Sequence, residues 1–207
     1  MDTPKIEQLW SNLWASRTVA KAFRLRFELG GEEFDNTTQS VPRFLQAHRR
    51  STAIADALFS DSCFGIVAWN DRPPYHAGLP EEVEDGFAAL RSTGFDAPQV
   101  SEWQAAVYPD PGDDEDYVWH LRGYDLSHHK VLRDTLLWHA VATEMPIYPS
   151  APVLTFLVDL ESSTMLHVYD DRGMDVISDD PAKLQVLYVE FADWLLDYDR
   201  ERMAKMF

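Results

Sequence analysis

The residues best suited to chemistry lie in one short stretch, HVYDDRGMDVIS, at positions 167–178. An imidazole beside a carboxylate can act as a general base that the acid orients, so His167 with Asp170 or Asp171 is a candidate catalytic pair. Asp175 adds a third carboxylate nearby in sequence. An enzyme of this kind requires a concave pocket in which the histidine and at least two of the three acids converge. The stretch marks no nucleophile.

Turn chemistry explains part of the same stretch without any site. Asp170, at the first turn position, can accept hydrogen bonds from backbone N–H groups two residues on. Gly173 can supply the positive φ that a short hairpin loop requires. Asp is unfavourable in strands, so Asp175 needs a partner or water. We favour a structural hairpin over a site, and this interpretation leaves Asp171 unexplained.

The end of the chain, WLLDYDRERMAKMF, contains acids in an unusual place. Arg200 suits the negative end of a helix, whereas Asp197 and Asp199 do not and should therefore have tertiary partners. We expect Arg172 to pair with one of these two acids. Arg200 should pair with Asp175 or Asp170. Such pairs would hold the hairpin against the final helix.

Together these two stretches resemble the C-terminal signature of the bacterial domain-of-unknown-function family 3885. The resemblance is strongest over residues 164–207, and the RFELG strand near the N-terminus also fits the family. It implies a small bacterial intracellular protein and no particular reaction, because the family has no assigned activity. No catalytic residue is therefore carried over. The matched motif positions are Tyr169, Asp170, Asp171, Arg172, Gly173, Asp175, Trp194, Asp197, Tyr198, Asp199 and Arg200.

A second acidic stretch, PDPGDDED, could bind a hard cation through carboxylate oxygens. Its acids lack the alternating spacing and distal Glu of a calcium loop, and they are Asp110, Asp113, Asp114, Glu115 and Asp116. The sequence also has no zinc-type spacing of His and Cys. The motifs GxSxG, HExxH, GxxxxGK[ST] and GxGxxG are also absent. We expect neither a metal nor a cofactor.

One helix in this acidic chain carries basic residues. Arg43 lies seven positions before Arg50, so the two share a helix face with His48 and Arg49 nearby. This face could clamp a small anion or phosphate. Ion pairs with nearby acids on a solvated surface are the favoured interpretation.

Charge is the strongest global feature of the sequence. The chain has 207 residues, 35 acidic and 18 basic, for a net charge of −17. Residues 101–207 hold 21 of the acids and 8 of the bases. Such a surface repels nucleic acid and anionic membranes and attracts a basic protein partner. The acidic loop is the expected contact, with Asp113, Asp114, Glu115 and Asp116 flanked by the aromatic anchors Tyr117 and Trp119.

The alternation of helical and strand-like patterns indicates an α+β fold, a single domain over residues 1–207. We expect a mixed or largely antiparallel sheet flanked by helices, with a candidate subdomain seam near residues 71–80. Ser40 and Ser127 are the expected caps of two helices. A long amphipathic C-terminal helix should run from residue 181 to about residue 203. One cysteine, Cys63, lies in an apolar run and is expected to be buried.

Two classes of function remain open. The first is a non-enzymatic acidic protein-binding domain, such as a bacterial immunity protein that neutralises a basic toxin. The second is an enzyme of unknown reaction with a carboxylate and histidine site at His167, Asp170, Asp171 and Asp175. Binding is favoured over catalysis. The initial residues contain acids and no long apolar run, so we expect a cytoplasmic protein without a secretory signal. The sequence leaves the oligomeric state undetermined.

Overall fold

The structure is a computed structural model that describes residues 3–17, 23–59, 62–70, 85–108 and 118–207. Its helices are α1 (Thr3–Ser16), α2 (Ser40–Leu58), α3 (Gly86–Ser92), α4 (Lys130–Ala142), α5 (Pro181–Glu190) and α6 (Arg200–Ala204). Its strands are β1 (Arg24–Glu28), β2 (Phe64–Trp69), β3 (Gln99–Ala105), β4 (Trp119–Asp125), β5 (Leu154–Asp159), β6 (Thr164–Val168) and β7 (Gly173–Ser178).

All seven strands form one open sheet in the order β1-β7-β6-β5-β2-β4-β3, and every neighbouring pair is antiparallel. Strands β5, β6 and β7 follow one another as hairpins, and β1 returns to pair with β7 at one edge. The prediction of a single α+β domain with a largely antiparallel sheet is confirmed.

Helices cover both faces of this sheet. Helices α2, α3, α4 and α5 enclose the larger core, to which β1 contributes Leu25 and Phe27. Helix α1 covers the other face with Ile6, Trp10 and Leu13. The alternation of β1 explains this division, because its apolar residues point to one face and its arginines to the other. One side of the β1–β7 edge is therefore charged.

Some of the helices begin with a side-chain cap and others do not. The carboxylates of Asp85 and Asp180 cap α3 and α5 by accepting backbone N–H groups two residues on. The predicted serine caps are wrong. Gln39 precedes α2, and His129 precedes α4 after a turn in which Asp125 accepts the N–H of Ser127.

The predicted long C-terminal helix is also wrong. Helix α5 ends at Glu190, and the chain continues through two short 3₁₀ turns into α6. Leu195 forms a bridge with Phe27, and the next residue, Leu196, donates its N–H to the carbonyl of Arg26. The open edge of β1 thus takes its backbone partners from this segment. A continuous helix could not supply them, because its N–H groups are bonded internally.

The expected seam near residues 71–80 lies outside the described residues. The strands on either side of that segment belong to the same sheet, since β2 pairs with both β4 and β5. Among the described helices, none is long and apolar enough to cross a membrane.

Candidate functional site

The hairpin between β6 and β7 carries the candidate site, and its turn follows the expected chemistry at one end. Asp170 accepts the backbone N–H of Arg172 at 2.7 Å, which confirms its predicted role in the turn. The expected positive φ at Gly173 is wrong, because the positive-φ glycines of the described chain are Gly31 and Gly94. A Cβ at Gly173 would lie 2.7 Å from the carbonyl oxygen of Phe27, so close approach of β1 requires glycine there.

Asp171, which turn chemistry left unexplained, anchors the hairpin to α2. Its side chain is 2 % exposed, and Oδ2 accepts a hydrogen bond from Nε of Arg43. The same guanidinium donates from Nη1 to the carbonyls of Gly31 at 2.6 Å and Phe34 at 3.1 Å. This buried ion pair therefore joins the hairpin, α2 and the loop after β1.

The basic face of α2 is consequently occupied by groups of this chain. Arg43 forms an ion pair with an acid, as the favoured interpretation expected, but the pair is buried and not solvated. Arg50 donates to the carbonyl of Glu28 at 3.0 Å and lies over the ring of Trp194. These contacts do not support an anion clamp formed by Arg43 and Arg50.

Asp175 lies opposite Arg26 in the β1–β7 register and has several partners. It accepts from Nε of Arg26 at 3.2 Å, from Arg24 at 3.4 Å and from the hydroxyl of Tyr169 at 3.4 Å. Burial raises the pKa of Asp175 above its ordinary value despite these donors.

Arg26 links this carboxylate to the C-terminal segment. Its Nη1 donates to Asp199 at 3.0 Å, and Arg202 donates to the same carboxylate at 3.2 Å. Burial opposes ionisation of Asp199, but the hydrogen bonds from the two arginines outweigh it and lower the pKa. Asp199 has a tertiary partner as expected, and that partner is on β1. The unfavourable helix end behind this expectation is absent, because Asp199 directly precedes α6.

The ion pairs predicted between the hairpin and the final helix are wrong in detail. Arg172 pairs with Asp170 in its own turn and with Glu144 at 3.2 Å. Arg200 pairs with Asp197 three residues earlier at 2.9 Å, and donates to two backbone carbonyls of the preceding segment. Both arginines find nearby partners, so Arg26 makes the connection between the two regions instead.

His167 lies on the face covered by α1, away from α2. Its Nδ1 is 2.8 Å from the carbonyl oxygen of Thr155, so Nδ1 carries the proton and Nε2 accepts from the hydroxyl of Tyr108 at 3.0 Å. The imidazole stacks on Phe156 with ring centroids 4.2 Å apart. Burial lowers the pKa of His167 to about 4. The ring is neutral at pH 7 and bonded at both nitrogens.

The four candidate catalytic residues therefore do not share one pocket. Asp170 pairs with Arg172, Asp171 with Arg43, and Asp175 with the arginines of β1. Asp175 is the register neighbour of His167, but the two ring nitrogens have other partners. This arrangement stabilises the fold and provides no unpaired base beside an unpaired acid.

The residues expected to contact a partner are only partly described. Asp113, Asp114, Glu115, Asp116 and Tyr117 lie outside the described residues. Trp119, the last of that set, begins β4 and is 2 % exposed within the α1-side core. Its ring is therefore a core element and is not accessible to a partner in this conformation.

The C-terminal motif residues differ widely in exposure. Trp194 is half-buried and stacks on Phe191 with centroids 5.0 Å apart. Tyr198 is 89 % exposed, and the side chain of Asp197 is 91 % exposed. Motif membership thus includes both core and surface positions.

Within the described residues, no group of three or more His, Cys, Asp or Glu side chains is arranged to hold a metal ion. The acidic loop considered for a cation lies outside that part of the chain. Cys63 is buried as expected, and burial raises the pKa of its thiol to about 12. A thiol of this kind is a poor nucleophile at neutral pH.

Sequence reasoning missed the arginines that neutralise the hairpin. Arg24 and Arg26 alternate with apolar residues on β1, and Asp175 sits at an equivalent position in another strand. An arginine and an aspartate on strands of one sheet indicate a cross-strand pair, but the pairing of the first strand with the last was not evident. The partnership of Tyr108 with His167 had no sequence signal.

The comparisons with known proteins give one result. No curated protein and no solved structure matches the chain significantly. A family model described as "Domain of unknown function (DUF3885)" matches residues 4–199, which extends the resemblance from the C-terminal signature to nearly the whole chain. The chain therefore belongs to this DUF3885 family.

Proposed function

We propose that this protein is a non-enzymatic acidic domain that binds a basic protein partner. One observation carries the proposal, namely the contrast between neutralised and free acids. The hairpin acids each pair with an arginine of the chain. Outside such pairs the net charge of −17 leaves many acids in contact with solvent, where they can attract a basic partner.

The geometry around His167 also supports binding over catalysis. A general base must reach the proton that it abstracts, and both nitrogens of this histidine are bonded within the chain. The hairpin acids have arginine partners and lie in separate ion pairs. A catalytic role would require these contacts to break.

A specific form of the proposal is a bacterial immunity protein that neutralises a basic toxin. The acidic charge supports this form, because electrostatic attraction speeds the encounter of oppositely charged proteins. The acidic loop at residues 113–116 is the proposed first contact. Co-expression with the captured partner tests the immunity role, since the partner should inhibit growth alone and not together with this chain.

Affinity capture from a lysate of the native host tests the proposal itself. The immobilised chain should retain a basic protein at about 50 mM salt and release it at about 500 mM, because salt screens exposed charges. A variant with Asp113→Asn, Asp114→Asn, Glu115→Gln and Asp116→Asn should retain less of that protein. Failure to retain any basic protein at low salt contradicts the proposal.

A further inference from the structure

Helix α5 carries apolar residues on two opposite faces. Leu184 and Leu187 are buried in the main core, as in any amphipathic helix. Val186 and Val189, three positions apart, are 62 % and 70 % exposed. A helix that is apolar all round is typical of one that is covered on both sides. Polar residues such as Gln185 and Glu190 keep α5 from being apolar all round, but its outer face carries an apolar stripe that no described residue of this chain covers.

Helix α1 shows what an ordinary solvent face looks like in the same protein. Its exposed positions hold Lys5, Glu7, Gln8, Ser11, Asn12 and Ala15, while its large apolar residues are buried or half-buried. Valine is also a poorer helix former than the residues usually found at exposed positions. Helix propensity therefore gives no reason for the two exposed valines on α5.

Acids surround this apolar stripe at both ends of the helix. Asp179 and Asp180 precede α5, and Glu190 and Asp193 lie at and just beyond its end, all four exposed. Within the described part of the chain, neither Glu190 nor Asp193 has an ion-pair partner. The helix holds one base, Lys183, whose Nζ lies 4.0 Å from the carboxylate of Asp159.

An exposed aromatic side chain, Tyr198, lies in the segment that follows the C-terminal end of α5. Arg200 donates to the carbonyl of Ala192 at 3.2 Å and of Leu195 at 3.2 Å, which holds the turn containing Tyr198 against the segment after α5. Tyr198 is 89 % exposed. Tyrosine is enriched among the residues that dominate interface energies.

We infer that the outer face of α5 binds a basic amphipathic helix of the partner protein. This patch consists of the exposed residues Asp179, Asp180, Val186, Val189, Glu190 and Asp193. The apolar side of that helix covers the valines, and its lysines or arginines meet the acids at the two ends. This inference rests on the proposed function and names the chemistry of the partner and a surface that it contacts.

Charge decides between this occupant and a second copy of the chain. In a symmetric dimer the same patch faces itself, which would bring the four acids of one copy against those of the other. A basic helix makes each of these contacts attractive. The valines alone cover only part of the roughly 800 Å² that each partner buries in a stable interface. The acids must contribute, so binding should require both charge and apolar area.

A synthetic helical peptide of leucine and lysine, about 14 residues long, serves as the probe, because shorter helices are marginal in water. Its fluorescence anisotropy is followed against the full chain at low salt. The variant Val186→Ser/Val189→Ser should bind about tenfold more weakly, which corresponds to about 1.4 kcal/mol. Val131→Ser is the matched control, since Val131 on α4 is 78 % exposed and lies outside the patch.

Three results would overturn the inference: no binding of the probe, equal affinity for the double variant, or equal affinity for an oligolysine of the same charge. Urea unfolding of each variant checks that the fold is intact.

The capture experiment separates the two proposals. If the double variant retains the host partner as well as the wild-type chain does, the binding function stands and this surface is wrong. If the probe binds α5 but no basic host protein is captured, the surface stands and the proposed function fails.

Discussion

The hairpin between β6 and β7 and the outer face of α5 both contain several acids. The two regions differ in whether these acids have ion-pair partners within the chain. At the hairpin, arginines of the same chain neutralise Asp170, Asp171 and Asp175. At and just beyond the end of α5, Glu190 and Asp193 are exposed and unpaired within the described chain. The difference indicates that paired acids hold the fold together, whereas unpaired acids are available to a partner.

Burial explains why the hairpin acids need their arginines. A carboxylate removed from water is costly unless a counterion and hydrogen bonds compensate it, and removing one partner of such a pair leaves an uncompensated charge. An exposed carboxylate has no such requirement because water solvates it. Substitutions in the two regions should therefore change different measurable quantities.

The largest effect should come from Arg43→Met. This change leaves Asp171, whose side chain is 2 % exposed, without its counterion. We expect the free energy of unfolding in urea to fall by about 3–5 kcal/mol. Arg49→Ala, at an exposed position on the same helix, should change it by less than about 0.5 kcal/mol. If the two changes lowered the free energy of unfolding equally, the claim that paired buried charges stabilise the fold more than solvated ones would be contradicted.

His167 provides a pH-dependent test of the hairpin as a structural element. Its pKa in the folded chain is about 4, below the ordinary value of 6.5, so the unfolded chain binds the extra proton more readily between these values. Stability should fall as the pH is lowered through this window, by at most about 3 kcal/mol from this residue. His167→Gln should flatten that part of the stability profile measured by thermal unfolding.

The control for this measurement is His139, a second buried histidine. Burial also lowers its pKa to about 4, and it lies on α4 far from the hairpin in sequence. His139→Gln should also reduce the loss of stability between pH 6.5 and 4, independently of His167. In the double variant the two reductions should add. An unchanged profile in His167→Gln would mean that the histidine is not held neutral by the fold.

Arg26→Met tests the link between β1, the hairpin and the C-terminal segment. The change removes one donor from Asp175 and one from Asp199, but Arg24 and Arg202 remain as partners. The loss of stability should therefore be smaller than for Arg43→Met, about 1–3 kcal/mol. Hydrogen exchange should show increased opening of α6 and the preceding turn. Unchanged protection of this segment would contradict the linking role of Arg26.

The smallest effect on stability should come from Val186→Ser/Val189→Ser. Both side chains are exposed, so the free energy of unfolding should change by less than about 0.5 kcal/mol for each substitution. Leu187→Ser on the inner face of the same helix is the control and should lower stability strongly, because that side chain is 2 % exposed. A large loss from the valine changes would show that they support the fold.

Several elements could be predicted from local pattern alone. β1 alternates apolar residues with arginines and β2 is a short apolar run, and both patterns are typical of strands. Asp170 could also be assigned, because a turn aspartate acts on the backbone two residues on. These inferences succeed since the controlling interactions are local.

The C-terminal segment and Gly173 show where local pattern fails. The spacing of apolar residues from Leu184 to Tyr198 fits one helix, yet Leu195 leaves the helix to bridge with Phe27. Glycine is common in turns, but at position 173 it is needed because the β1 backbone passes close to it. In both cases a strand distant in sequence determines the conformation.

The sequence by itself determined the α+β class, the order of most strands along the chain, the strong negative charge and the turn at Asp170. Only the tertiary structure decided which arginine neutralises each acid, why Asp171 is present, and which face of α5 stays exposed. The physical reason is that strand and helix patterns depend on residues a few positions apart. Ion pairs such as Arg43–Asp171 join residues 128 positions apart and exist only after the sheet has brought them together.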